Sequence, residues 1–166
     1  MIRPATEADR AAIVALHLAS WQDSYGIELP DAVLRDVLPG YLSEKWARRR
    51  FGPPMLTLVS EGTDGLTGFV CALTDRTTPL IDNLHVRPGL RGAGTGGQLL
   101  AAMKTALKAA GFQRADLTVL ERNPRALSFY LAHGGRDEGA EDDRLVGRPV
   151  RVLRIGFDLQ TPQPMR

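Results

Sequence analysis

A single cysteine, Cys71, leaves this 166-residue chain without an internal disulfide and fits a reducing compartment. It lies in the apolar run Gly68-Phe69-Val70-Cys71-Ala72-Leu73, with no basic neighbour in sequence to lower its pKa, and so reads as inert core rather than as a nucleophile. Charge of one sign is equally scarce. Lys and Arg number 21 against 19 Asp and Glu, a net +2 that is too small for a nucleic-acid footprint. The one basic cluster, Arg48-Arg49-Arg50, reads as a solvated helix face. No apolar run approaches about 18 residues, so no membrane span is expected. The first residues lack the basic and apolar pattern of a secretory leader, which makes the cytoplasm the default location. Repeats and low-complexity segments are absent, and no metal is expected. What is present is ordinary globular composition, 43% hydrophobic and 24% charged, enough for one domain over 1–166 with its own core.

The element signals are clearest in the middle. Met1-Ile2-Arg3 forms a short strand, Thr6 with Asp9 gives a helix N-cap signature, and Ala11 to Tyr25 carries Ile13, Leu16 and Ser20 at helical spacing. Pro30 opens a second helix through Leu38, and Ser43 caps a third over Glu44–Phe51. Met55–Glu61 and Leu66–Thr74 read as a hairpin around Gly62-Thr63-Asp64-Gly65. Leu80–Val86 is a strand closed by Arg87-Pro88-Gly89. Leu99, Leu100, Met103, Ala106, Leu107 and Ala110 then fall on one helical stripe that Gly111 ends. Ala115–Leu120 is a strand, Pro124 opens a helix that stops at Gly134-Gly135, Arg148–Asp158 is a last strand, and 160–166 is a tail. Strands and helices alternating after an N-terminal hairpin give a mixed α/β sheet.

Between the central strand and helix stands Arg91-Gly92-Ala93-Gly94-Thr95-Gly96-Gly97. Glycines with small neighbours let a bulky anion approach the backbone, and a helix start adds roughly half a positive charge, so this is a phosphate site without a special side chain. The plainer alternative is that Gly94, Gly96 and Gly97 merely permit close helix–sheet packing. Gly92-x-Gly94-x-x-Gly97 also matches a dinucleotide fingerprint, with Glu121 beyond the following strand. Two features oppose a dinucleotide fold. Arg87–Arg91 separates the strand from the first glycine, and too few strand–helix units follow Glu121.

Leu84-x-Val86-x-Pro88-x-Leu90-Arg91-Gly92-x-Gly94-x-Gly96 resembles the central motif of the GNAT superfamily of N-acetyltransferases, whose core is Gln/Arg-x-x-Gly-x-Gly/Ala. Asn123-x-x-Ala126-x-x-Phe129-Tyr130-x-x-x-Gly134 is similar to that family's second signature. The resemblance covers 80–135 closely and implies a mixed, mostly antiparallel twisted sheet, flanked by helices on both faces, whose fourth and fifth strands splay apart around the pantetheine arm of acetyl-CoA. It implies main-chain contacts to the acetyl and pantetheine groups at Leu84, His85 and Val86. The pyrophosphate falls on the Arg91, Gly92, Gly94, Thr95, Gly96 and Gly97 backbone, Asn123 touches the CoA arm, and Tyr130 protonates the departing thiolate. A base in this family often projects from the fourth strand at positions matching Leu80 and Asp82, which leaves Asp82.

The side chains add their own constraints. Asn123 before Pro124 is a good N-cap with or without CoA, and Tyr130, seven residues on, lies on nearly the same helix face. A lysine-like acceptor amine costs about 4.6 kcal/mol to deprotonate at pH 7, an α-amine only about 1 to 1.4, so a strongly basic acceptor calls for a base or a water relay. Strand alternation sets His85 on the opposite face from Asp82, which reserves a role for its backbone alone. His17 and His133 carry no signal beyond ordinary surface or helix histidines. Arg87, Arg122 and Arg125 are the candidates for the CoA 3′-phosphate. The N-terminal helices, about 7–51, are the acceptor side, where Trp21, Tyr25 and Glu28 form an aromatic wall with an acidic rim, or else a helix face packed on the sheet. The function these readings point to is acetyl transfer to a primary amine of a small molecule or peptide in a ternary complex, with a homodimer allowed and no nucleic-acid or membrane partner. The alternative is a non-catalytic acyl-CoA-binding or regulatory domain of the same fold. The two differ in whether Tyr130 and a base face one open acceptor tunnel.

Overall fold

The computed structural model describes residues 1–160. Seven strands form one sheet: β1 (Ile2–Pro4), β2 (Met55–Gly62), β3 (Gly65–Leu73), β4 (Leu80–Val86), β5 (Arg114–Leu120), β6 (Arg136–Leu145) and β7 (Arg148–Asp158), in spatial order β1-β2-β3-β4-β5-β7-β6. Every neighbouring pair is antiparallel except β4 and β5. Those two run parallel and are bridged only at Leu80↔Asp116, so past that point they diverge. The gap at mid-sheet is the expected splay.

Helices cover both faces. On one, α3 (Thr95–Ala109) buries Leu99, Leu100, Met103 and Leu107 against Val70, Ala72 and Ile81, the stripe legible in its 3.6-residue period. Truncating one of these leucines to alanine costs about 2–5 kcal/mol. On the other, α1 (Arg10–Ser24) buries Ile13, Leu16, His17, Ser20 and Trp21, the i, i+3, i+4, i+7, i+8 set of one helix face, and Trp46 joins it against Val59, Phe69 and Cys71. Cys71 is fully buried, and burial raises its thiol pKa although Arg49 comes within 3.8 Å. The fourth helix, α4 (Pro124–Ala132), follows β5.

Three expectations need correction. Thr6 and Asp9 do form a capping box, but around the short 3₁₀ turn Glu7–Asp9 that precedes α1. Helices expected over 30–38 and 44–51 are one irregular run, a π-helical turn at Val33–Val37 continuing into α2 (Leu38–Ala47), with Ser43 in its interior. Leu34, Leu38, Leu42 and Trp46 repeat every fourth residue and are all buried, and that continuous stripe outweighs the local cap signal. Strand β6 gave no sequence signal, because as an edge strand it exposes nearly every residue and reads Arg-Asp-Glu-Gly-Ala-Glu-Asp-Asp-Arg-Leu. Of the tail read over 160–166, only Gln160 falls within the described residues. Its amide nitrogens donate to Asp158 and to the Phe112 carbonyl.

Candidate active site

The splay between β4 and β5 opens into a cavity of about 1030 Å³. One wall is backbone. Gly92 and Gly94 adopt left-handed φ of 87° and 88°, and an added Cβ at either would project into open space. After Leu90, whose N–H bonds to the Arg87 carbonyl, the next partnered backbone N–H among the described residues is that of Gln98, on the Gly94 carbonyl at 3.0 Å. The amides from Arg91 to Gly97 therefore present a row of unspent donors at the N-terminus of α3, a ready cradle for a pyrophosphate. Packing also claims two of these glycines. A Cβ at Gly97 would sit 2.7 Å from His133 Nε2, and one at Gly96 would touch Phe129 at 3.4 Å. Phosphate approach and close packing thus divide the glycines between them. The β4 edge at Leu84–Val86 also lines the cavity, without a strand partner on the β5 side among the described residues.

On the same wall Asn123 Oδ1 accepts from the Ala126 N–H (3.1 Å), capping α4. Tyr130 lines the cavity, and its hydroxyl has no hydrogen-bond partner among the described residues. Burial, with Tyr25 opposite adding to it, pushes the Tyr130 pKa up, so the phenol keeps its proton far above neutrality. The end of α4 is fixed by Lys104, whose ammonium donates to the His133 carbonyl (2.5 Å) over the Phe157 ring; burial lowers its pKa to about 8. Of the three arginines considered for the 3′-phosphate, Arg125 lines this cavity without a protein partner among the described residues. Arg87 reaches the Asp64 carbonyl, and Arg122 borders a smaller neighbouring cavity.

The opposite wall is made of side chains. Register along β3 and β4 slips between Cys71↔Asn83 and Ala72↔Ile81, so Asp82 is an extra residue in the ladder, a β-bulge. The bulge overturns the expectation from alternation: Asp82 turns to Lys45 from α2 and to Arg49 just beyond its end, and His85 turns to Ser20 and Trp21 from α1, both on the helix α1–α2 face. Burial pushes the Asp82 pKa up, but Lys45 and Arg49 outweigh it and hold the carboxyl below its ordinary range. The Trp21 indole donates to His85 Nε2 (3.4 Å), which leaves the proton on Nδ1 to be donated to Ser20 Oγ (2.8 Å). Arg91 reaches across from the glycine loop to the same Ser20 oxygen (3.1 Å) and to Asp23. Burial, then Arg91 and Lys45, bring the His85 pKa down to about 3.

His17 is likewise no ordinary helix histidine. It is fully buried, its ring centred 4.5 Å from that of His85, and accepts from the Trp46 indole (2.9 Å), while its Nε2 has no partner among the described residues. Burial, with His85, Lys45 and Arg49 contributing, pushes its pKa down.

Trp21 and Tyr25 both border the main cavity, their rings 5.0 Å apart, while Trp21 also packs with Leu29, Leu34, Leu38 and Leu42. The wall reading and the packing reading describe the same tryptophan. Burial, with Glu28 adding to it, raises the Tyr25 pKa to about 12. Glu28 itself borders the smaller cavity beside Arg122 and Arg151. The sequence reading missed Tyr41 and Lys45, which line the main cavity from α2; their four-residue spacing, continued by Arg49, was the available signal. It also missed Asp143–Val146 at the β6–β7 turn, where Val146 takes a φ of 49°. Among the described residues no helix is long and apolar enough to cross a membrane, and no group of three or more His, Cys, Asp or Glu is placed to hold a metal.

The profile of the acetyltransferase (GNAT) family matches residues 11–134. Mycothiol acetyltransferase of Beutenbergia cavernae is 33% identical over 135 residues, 78% of this chain but only 42% of its own length, so the chain spans less than half of that relative. The PaiA N-acetyltransferase of Thermoplasma acidophilum, solved in complex with coenzyme A, superposes with a TM-score of 0.75 at 20% identity, covering 95% of this chain and 98% of that one. A GCN5-related N-acetyltransferase from Rhodopseudomonas palustris superposes with a TM-score of 0.76 at 19% identity over 95% and 94%. At these identities the two structures establish a shared fold.

Proposed function

Because the chain belongs to the acetyltransferase (GNAT) family, we propose that it transfers acetyl from acetyl-CoA directly to a primary amine of a small molecule or peptide within a ternary complex. The observation that carries the reading is that one cavity is bordered by the glycine loop, the free β4 edge, Tyr130 and Asp82 together. That is the arrangement an enzyme needs and a purely binding domain does not.

The free N–H groups of Arg91–Gly97 suit the pyrophosphate, Arg125 the 3′-phosphate, and the gap beside Leu84, His85 and Val86 an extended pantetheine chain. Asn123, with Oδ1 committed to its own helix, has its amide N–H groups left for the arm. Bound acetyl-CoA supplies an activated acyl carbon. The acceptor ammonium gives up a proton through Asp82, whose depressed pKa makes it a relay to water more than a store. The amine nitrogen bonds to the acyl carbon as the carbon–sulfur bond breaks, the Tyr130 hydroxyl gives its proton to the leaving sulfur, and the second proton that the nitrogen sheds on becoming an amide restores the phenol through water. Trp21, Tyr25 and Glu28 belong to the acceptor side, Glu28 from its outer margin.

The test is calorimetric binding of acetyl-CoA followed by a thiol-release assay with a panel of amines. Binding together with amine-dependent release of free CoA is expected; tight binding without release for any amine would favour the non-catalytic reading.

A further inference from the structure

The inference drawn here rests on the acetyl-transfer reading and concerns what the acceptor carries beside its amine. Two groups on the α1–α2 wall hold unspent hydrogen-bonding capacity. Asp82 commits Oδ2 to Arg49 and to the Asn83 amide (2.9 Å); its Oδ1 has no partner among the described residues and is not sealed off. The Lys45 ammonium lies 3.8 Å from that same Oδ2, an ion-pair separation longer than a well-made hydrogen bond, so Asp82 engages one of its three N–H donors only weakly and the others remain for a ligand. Both residues border the cavity, and both side chains are about a quarter exposed.

The charges here do not balance. One carboxylate faces two cations, and Arg49 is already committed, stacked over Trp46 with its guanidinium on Asp82. The other charged groups of this wall are accounted for. Arg91 pairs with Asp23, Arg144 donates to the Gly147 carbonyl, and Asp143 accepts from the Arg144 backbone. Lys45 is the remaining cation, held only by a long ion pair to Asp82, and a three-quarters buried ammonium with donors to spare gains from a second anion that reaches it. A simple cationic amine arriving at Asp82 would meet Lys45 as a like charge.

An open carboxylate oxygen and an open ammonium, one carboxylate apart, are complementary to a ligand whose own ammonium and carboxylate flank a single carbon. We propose that the acceptor is an α-amino carboxylate, its ammonium donating to Asp82 Oδ1 and its carboxylate accepting from Lys45. Acetylation turns the ammonium into a neutral amide and removes its attraction to Asp82, which favours release of the product.

The test measures thiol release with the standard amino acids other than cysteine, their α-amides, and the corresponding amines lacking the carboxylate, for wild type, Lys45→Met and Lys45→Arg. The kcat/KM of the acids is expected to exceed that of the amides by about tenfold or more, the size of one well-made charged contact. That ratio is expected to fall towards one in Lys45→Met and to survive largely in Lys45→Arg. Acetyl-CoA affinity, measured by calorimetry, reports that each variant is folded; Lys45→Gln replaces Lys45→Met should the latter fail that check. Amides or plain amines equal to the acids, an unchanged ratio in the methionine or glutamine variant, or no acetylation of any of the three classes despite acetyl-CoA binding would each overturn the carboxylate subsite. Absence of acetyl-CoA binding in the wild type would instead overturn the transfer reading beneath it.

Discussion

The two walls of the cavity are built by different means. The wall beneath α3 works through backbone: a row of free N–H groups, two left-handed glycines and an unpaired strand edge. The wall formed by α1 and α2 works through interlocked side chains, in which Trp21, His85, Ser20 and Arg91 fix one another while Arg49, Lys45 and Asn83 converge on Asp82. Backbone recognition suits a ligand that never varies and needs only glycines at fixed spacing. Side-chain recognition is assembled from segments far apart in the chain and can be retuned residue by residue.

The largest expected effect lies where the walls meet. Tyr130→Phe keeps the ring and should lower kcat about 10²–10⁴-fold while acetyl-CoA binds as before. Single-turnover rates measure it, and an unchanged rate would make Tyr130 a packing residue. Next, Gly94→Val places a branched side chain at a φ of 88° beside the cradle. Acetyl-CoA affinity should weaken about 10–100-fold by calorimetry, and a folded variant that binds normally would break the backbone side of the comparison.

Acid should loosen the side-chain wall. The folded His85 pKa lies near 3, below its ordinary 6.5, so between those values the unfolded chain holds a proton that the folded chain refuses. His17 is shifted in the same direction. Stability is therefore full above pH 6.5 and falls as pH drops towards 3, by about 1.4 kcal/mol per pH unit for each such histidine. Urea midpoints across that window check the slope, and a flat profile would contradict it. The smallest effect expected is for Arg125→Ala, about fivefold weaker binding of acetyl-CoA from the loss of about 1 kcal/mol, with no change for the analogue lacking the 3′-phosphate.

Legibility in the sequence followed the same division. Strand β4, the glycine loop, α3, β5 and α4 were readable because apolar period and glycine punctuation are local properties. The bulge at Asp82 was not, since it shows only as a slip against β3, and it reversed the facing of His85. Edge strand β6 was hidden by its charge, and the run of α2 by a Ser43 that mimics a cap. Lys45 was hidden for another reason. A lysine on a helix is ordinarily a solvated charge, and only the arrival of Asp82 from a distant strand makes its unspent donors informative.

The lone bridge Leu80↔Asp116 also has a mechanical meaning. It divides the sheet into two leaves, β1–β4 and β5–β7–β6, pinned at one end like a pair of tongs. An extended chain seated in the gap acts as a rivet at the free end, since it borrows the hydrogen-bonding positions of a missing strand. On the proposed reading, stiffness across the middle of the molecule is set by occupancy as much as by sequence, and thermal stability is expected to rise with the concentration of acetyl-CoA.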